Sequence, residues 1–461
     1  MTDINFYTAT ELAEAIRECR ISCIEALEAH LAQIAHHNPR LNAVVTLDEE
    51  RARHRAREAD EAITRGELWG PLHGLPMTLK DGHSTAGMKT TSGYVPLADY
   101  VPEEDGTVAA RLKAAGAIII GKTNVSILLG DIQSDNPIFG RTNNPWDVSR
   151  TSGGSSGGAA AALATGMTPL EIGSDLAGSI RIPSHFCGVY GLKTTEHRVS
   201  MHGHIPDLPN EPRSHRHMWS IGPMARNVAD LALAYRIISG PDGYDPDVPP
   251  VPVEASRGVP TARPYTSLRI AWAPTFPGAP VMGAIRHTLH DLASELDRLG
   301  ARVEERLPDI NFGELARTRV VLSRAVRLAF RPEEDEPPVT LTDYFTTLYR
   351  RDAFIDILER FFSEWDVLLC PVAMTTAFTH RPTDTPIEVD GEEANYWRVI
   401  GHCAPFNFTG HPSIVIPIGS DAKGLPIGVQ IVGKRWGEEG LLEVAALIAE
   451  VAGPFRKPPG L

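Results

Sequence analysis

The sequence predicts an α/β protein: a single large domain with a large mixed central β-sheet covered by helices on both faces. Three observations lead there. Short apolar runs bounded by glycine and polar residues, MTLKD (77–81), AIIIGKT (117–123) and TPLEIGSD (168–175), have the length and texture of buried strands. Alanine-rich helical stretches at 107–115 and 157–166 separate them, the alternation expected of a layered α/β fold. Strand-like runs then return late, at VLLCPV (367–372), SIVIPIG (413–419) and PIGVQIVG (426–433), so the chain comes back to the same sheet.

The elements follow in order. Residues 1–66 form an N-terminal helical segment, helical from residue 8. Thr8-x-x-Glu11 and Ser22-x-x-Glu25 are capping-box patterns, and each precedes an apolar series at helical spacing. A third helix over 50–65 closes at Gly66. The motif-rich core spans 70–235. Residues 241–266 are too rich in proline for regular structure and read as a long surface excursion. LRIAWAP (268–274) is a strand, 282–299 a helix, 310–363 mainly helical, and 438–453 an amphipathic closing helix. There are no internal repeats.

Composition narrows the class. The 461 residues carry a formal net charge of −14, with acids spread along the chain. The one basic run, RARHRAR (51–57), has the pattern of an exposed helix face, so nucleic acid is not an expected partner. Five cysteines without regular spacing argue against a disulfide framework, and Cys19 with Cys23 lacks the second pair a metal site needs. The N-terminus has no signal pattern, and no apolar run reaches the roughly 18 residues of a membrane helix. A cytoplasmic protein is expected, with no membrane, metal or cofactor; a homodimer is the base-rate expectation.

The chemistry concentrates in SGGSSGGAAAALATGMTPLEIGSDLAGSIRIP (152–183). Glycines flanking Ser155 and Ser156 let the backbone approach a ligand closely. The loop lacks the Gly-Lys-Ser/Thr end of a phosphate loop and does not match the dinucleotide fingerprint. A flexible linker fits poorly, because an alanine-rich helix starts at once. In GSDLAGSIRIP a strand enters a tight turn ahead of Ser179, where converging N–H groups can stabilise an oxyanion. A serine is a poor nucleophile without a base. Lys80 can serve only if burial or nearby positive charge keeps it neutral; the alternative is an ordinary surface lysine. A Ser-His-Asp triad is the competing arrangement. His73, His83, His185 and His204 lie near these motifs, no Gly-x-Ser-x-Gly elbow occurs, and the histidines remain unassigned.

Taken together, these stretches resemble the amidase signature family, which cleaves amide bonds with a Ser-cisSer-Lys triad. The resemblance rests on HGLPMTLKDG (73–82), NPIFGRTNNPWD (136–147), GGSSGGAAAA (153–162), GSDLAGSIRIPSHFCGVYGLK (173–193), GPMARNVADL (222–231), DVLLCPV (366–372) and GLPIGVQIVG (424–433). It implies Lys80 as general base, Ser155 as the bridging serine in a cis peptide, and Ser179 as nucleophile. It further implies an oxyanion hole from the N–H groups of Leu176, Ala177, Gly178 and Ser179. Leu129 and Gly130 would line the acyl pocket, with Ser156 beside the substrate, and Asp175 and Arg181 would support the site from behind.

The chain departs from the family pattern at three places. Ala177-Gly178 replaces a frequent Gly-Gly, Thr194 stands where proline is usual, and His197 stands where glycine is frequent. The resemblance implies a hydrolase of small or aryl amides, with carbamates and esters as neighbouring substrate classes. The alternative is the glutaminase subunit of a tRNA-dependent amidotransferase complex. That branch usually carries glutamine after Ser-Ile-Arg, whereas this chain has Ile182. The resemblance puts the variable, pocket-lining parts at about 195–215 and 310–400, where His202, His204, Arg324, Tyr344 and Tyr396 could face a ligand or simply pack.

Overall fold

The computed structural model describes residues 3–460 except 206, 210, 212, 214, 254–262 and 331–336. Helices α1 (Ala9–Arg17) and α2 (Cys23–Leu41) start at the two capping boxes. The Thr8 and Ser22 hydroxyls accept from the N–H groups of Glu11 and Glu25, whose carboxylates accept in return from the cap N–H groups. The expected continuous helical segment is then broken. Asn42 turns the chain with a φ of +51°, and Val44–Leu47 forms strand β1 before α3 (Glu49–Thr64). The β-branched Val44, Val45 and Thr46 favour the extended form there.

Next come β2 (Pro76–Lys80), α4 (Thr107–Ala114), β3 (Ile118–Thr123), α5 (Gly157–Ala164), β4 (Glu171–Asp175), α6 (Arg181–Cys187), β5 (Tyr190–Lys193), β6 (Ser220–Ala225) and α7 (Val228–Ile238). The second half adds β7 (Arg269–Trp272), α8 (Gly283–Arg298), β8 (Arg302–Glu305), α9 (Phe312–Phe330), α10 (Leu341–Glu364) and β9 (Val367–Pro371). It ends with β10 (Ile387–Val389), β11 (Glu392–Ala394), α11 (Ala404–Phe408), β12 (Ser413–Ser420), β13 (Pro426–Val432) and α12 (Glu438–Ala452). Part of the proline-rich excursion, 254–262, lies outside the described residues.

The main sheet has eight strands in the order β4-β6-β5-β12-β13-β9-β7-β8. It is mixed: β7 runs parallel to β8 and β9, and the other pairs are antiparallel. Both faces are covered, as alternate residues of β12 show. Ile414 and Ile416 pack with Leu231 of α7 and Leu441 of α12, while Val415 between them packs with Ile182 and Phe186 of α6.

One expectation needs correcting. Strands β2 and β3 do not join this sheet but form a three-stranded one with β1, in the order β1-β3-β2. Its edge strand β2 faces the edge strand β4 through side chains rather than a backbone ladder. The Thr78 hydroxyl donates to Glu171 at 2.5 Å, and Lys80 Nζ donates to the Ser174 carbonyl at 3.2 Å. The site lies at this junction, because Lys80 ends β2 and Asp175 ends β4.

Candidate active site

Lys80 is fully buried, and its surroundings are hydroxyls rather than acids. Nζ lies 2.7 Å from Ser155 Oγ, 2.8 Å from Ser156 Oγ and 3.1 Å from Ser174 Oγ. Among the described residues no carboxylate stands within ion-pair distance of it. Burial therefore dominates and pushes its pKa down to about 7, with Asp175 and Glu171 opposing the shift from further away. A large share of the Lys80 amines is neutral near pH 7 as a result.

The glycine-serine loop holds the two serines against that amine. The Gly154–Ser155 peptide is cis. Ser134 braces the loop: its hydroxyl donates to the Ser155 carbonyl at 3.2 Å and accepts from the Gly157 N–H at 2.9 Å. Glycine is required at position 153, where φ is +87° and a Cβ would stand 2.8 Å from the Pro183 Cα. The Ser156 N–H donates to the Ser179 carbonyl at 3.1 Å, tying this loop to the turn between β4 and α6.

That turn is built around Asp175, itself fully buried. Its carboxylate accepts from the N–H groups of Gly178 (2.7 Å) and Ile180 (3.1 Å), from Arg181 Nε (3.0 Å) and from Asn407 Nδ2 (3.0 Å). Burial alone would raise its pKa. The Arg181 guanidinium, with Lys193 and Asn407, outweighs that and holds the carboxyl well below the usual range. Arg181 is buried in turn and also donates to the Cys403 carbonyl at 3.0 Å and to the side chains of Gln430 and Asn407.

A cavity of about 380 Å³ opens on this turn, and Leu176, Ala177, Gly178 and Ser179 form its floor. Leu129, Gly130 and Ile182 form one wall, and Arg319, Trp397 and Ile400 the outer one. Ser179 is half-buried, at the boundary between cavity and interior. Leu129 holds a left-handed backbone, φ +61°, as does its neighbour Leu128 at +45°, so this wall is a tightly turned segment.

Two placements differ from expectation. The Gly178 N–H is taken by Asp175, which leaves the N–H groups of Leu176, Ala177 and Ser179 as those of the turn without an acceptor among the described residues. Ser156 faces Lys80 and does not line the cavity. The histidines make no hydrogen bond to Ser155, Ser156 or Ser179 among the described residues. His73 and His185 are tied to backbone groups, and His83 packs edge-on against His204 at 4.8 Å. Burial and the nearby Lys80 help keep His83 and His204 uncharged.

Of the open pocket candidates, the Tyr396 hydroxyl bonds Asp131, which lines the cavity, and that of Tyr344 pairs with His217 Nε2 at 3.1 Å. His202 stacks on Tyr244, and Arg324 reaches the Pro337 carbonyl. Arg319, Trp397 and Ile400, which do line the cavity, carry no motif in the sequence. Neither do Ser134 and Asn407, which meet the site only through the fold.

The α/β fold thus sets a buried lysine among serines beside a small cavity. A family model described as Amidase matches residues 25–335 and 338–442, and the chain belongs to the amidase family. It is an amide-cleaving hydrolase. The indoleacetamide hydrolase of Bradyrhizobium diazoefficiens is 33% identical over 469 residues, covering 97% of this chain and 87% of its own. The A subunit of the glutamyl-tRNA(Gln) amidotransferase of a Roseiflexus species is 33% identical over 507 residues, covering 100% and 99%. An acylamidase of Rhodococcus erythropolis is 33% identical over 478 residues, covering 97% and 96%. Among solved structures, 6-aminohexanoate cyclic dimer hydrolase complexed with substrate superposes with a TM-score of 0.81 at 28% identity, covering 99% of each chain. Among the described residues no helix is long and apolar enough to cross a membrane.

Proposed function

We propose that this chain is a free-standing amidohydrolase that cleaves the C–N bond of small or aryl amides through a seryl acyl-enzyme. Carbamates and esters are the neighbouring substrate classes. The observation that carries this reading is the buried Lys80 amine, held 2.7 Å from Ser155 with no carboxylate paired to it among the described residues.

Neutral Lys80 takes the proton of Ser155 as Ser155 takes that of Ser179. Ser179 Oγ bonds to the amide carbonyl carbon, and the oxyanion is met by the free N–H groups of Leu176, Ala177 and Ser179. The C–N bond then breaks, and the proton returns from Lys80 through Ser155 to the departing amine. Water enters by the same relay, cleaves the acyl–serine bond and releases the acid. Asp175 and Arg181 take no proton; they hold the turn that carries these N–H groups.

The second reading is the glutaminase subunit of an amidotransferase, favoured by the equally extensive match to the Roseiflexus protein. Against it stands Ile182, whose apolar side chain lines the cavity and offers a substrate amide nothing to bond. A hydrolysis panel separates the two. One aryl acyl group is presented as primary amide, anilide, carbamate and ester, with free glutamine alongside, to wild type and Ser179→Ala. Serine-dependent cleavage of the amide or anilide is expected. Cleavage of glutamine alone would transfer the assignment to the amidotransferase reading.

A further inference from the structure

Two of the residues lining the cavity are charged, Asp131 and Arg319, and they are in opposite states. Asp131 is satisfied. Its carboxylate accepts from the Ile132 N–H at 2.6 Å, from the Thr383 hydroxyl at 2.5 Å and from the Tyr396 hydroxyl. Arg319, on α9, has no hydrogen bond, ion pair or ring contact with any described residue, although it is partly withdrawn from solvent.

The fold does not treat its other buried guanidiniums this way. Arg181 is paired with Asp175, Arg198 with Glu438 and Glu439, and Arg351 with Glu196, while Arg226 is held by four backbone carbonyls. A guanidinium stays charged at any physiological pH and binds planar carboxylates through two parallel N–H groups. Against the apolar Ile182 and Ile400 and the ring of Trp397, such a bond is stronger than in water. An unmatched cation in a cavity whose only acid among the described residues is already used calls for an anion brought by the ligand.

We propose that Arg319 receives a carboxylate carried by the acyl part of the substrate, so that the preferred substrates are monoamides of dicarboxylic acids. The inference rests on Ser179 as the nucleophile: the amide sits on the floor of the cavity, the carboxylate reaches α9, and an apolar spacer lies between. The volume of about 380 Å³ is at the small end for ligand cavities, which favours short spacers.

The test compares the monoanilides of succinic, glutaric and adipic acid with uncharged anilides of the same chain length. Wild type, Arg319→Met, Arg319→Lys and Ser179→Ala are measured. A charge-assisted bond of this kind corresponds to a wild-type preference of roughly 10- to 100-fold in kcat/KM for the best charged anilide. Arg319→Met is expected to bring that ratio close to one, chiefly through KM, and Arg319→Lys to restore part of it. Binding of the free dicarboxylate is followed in parallel by calorimetry, which needs no turnover and should weaken by a similar factor in Arg319→Met. Serine-dependent cleavage of the uncharged series with no charged preference would overturn this inference and leave the hydrolase reading standing. Equal dicarboxylate binding by wild type and Arg319→Met would overturn it as well. Dicarboxylate binding that needs Arg319, without serine-dependent cleavage of any anilide, would leave the anion site standing and remove the Ser179 acyl-enzyme reading.

Discussion

The floor and the outer wall of the cavity are built on different principles. The floor rests on Lys80, Ser155, Ser156, Asp175 and Arg181, all fully buried, in two hydrogen-bonded groups, one around Lys80 and one around Asp175, tied together by the Ser156 N–H on the Ser179 carbonyl. The outer wall is made by Arg319, Val320, Trp397 and Ile400, of which Val320 and Trp397 are exposed. Buried polar networks are held to one geometry because each unmet partner is costly, whereas an exposed wall exchanges residues cheaply. On the proposed reading, chemistry is set by the floor and the choice of substrate by the wall.

That contrast can be broken most severely at Ser179. Ser179→Ala should lower kcat by about 10⁴-fold or more, the scale seen when a serine nucleophile is removed. Burst kinetics with an anilide would show the acyl-enzyme phase missing. Lys80→Met should cost about 10² to 10⁴ in kcat, the range of a general base, and should abolish the rise of rate with pH. Undiminished turnover in either variant would separate the floor from the chemistry.

Arg181→Met tests the floor as structure. It strands the Asp175 carboxylate without its cation, and breaking a buried pair costs about 3–5 kcal/mol, readable by urea unfolding. The sign with pH follows from Asp175. Its folded pKa lies below its unfolded value of about 3.9, so its contribution is present above that value and is lost as pH falls toward the folded one. Wild type should therefore lose stability more steeply below about pH 4 than Arg181→Met does. The wall gives the smallest effect: Trp397→Ala should change KM by roughly two- to tenfold, the scale of one apolar pocket contact, with the loss in kcat smaller than that. A larger loss in kcat than in KM would show that the wall also orients the reacting groups.

The same division decides what could be read from the sequence. Lys80, Ser155 and Ser179 sit in glycine-punctuated runs whose composition has few other uses. The capping boxes at Thr8 and Ser22 were legible because capping is local. His197, standing where glycine is frequent, adopts a φ of +65°. Strands β1, β5, β6 and β8 left weak signals. β1 is short and enclosed by helices, β6 contains Gly222 and Pro223, and β8 is a mostly exposed edge strand with one apolar residue. The split into two sheets depends on side chains crossing between β2 and β4, which no periodicity reports. Ser134, Asn407 and Arg319 reach the site from distant segments, and only the folded chain brings them there.

The most direct test is the pH dependence of kcat/KM on an anilide substrate. A buried, neutral Lys80 predicts an ascending limb with a midpoint of about 7. A rate independent of pH between about 6 and 9, or one that climbs only toward the ordinary lysine value of about 10.4, would contradict Lys80 as the base.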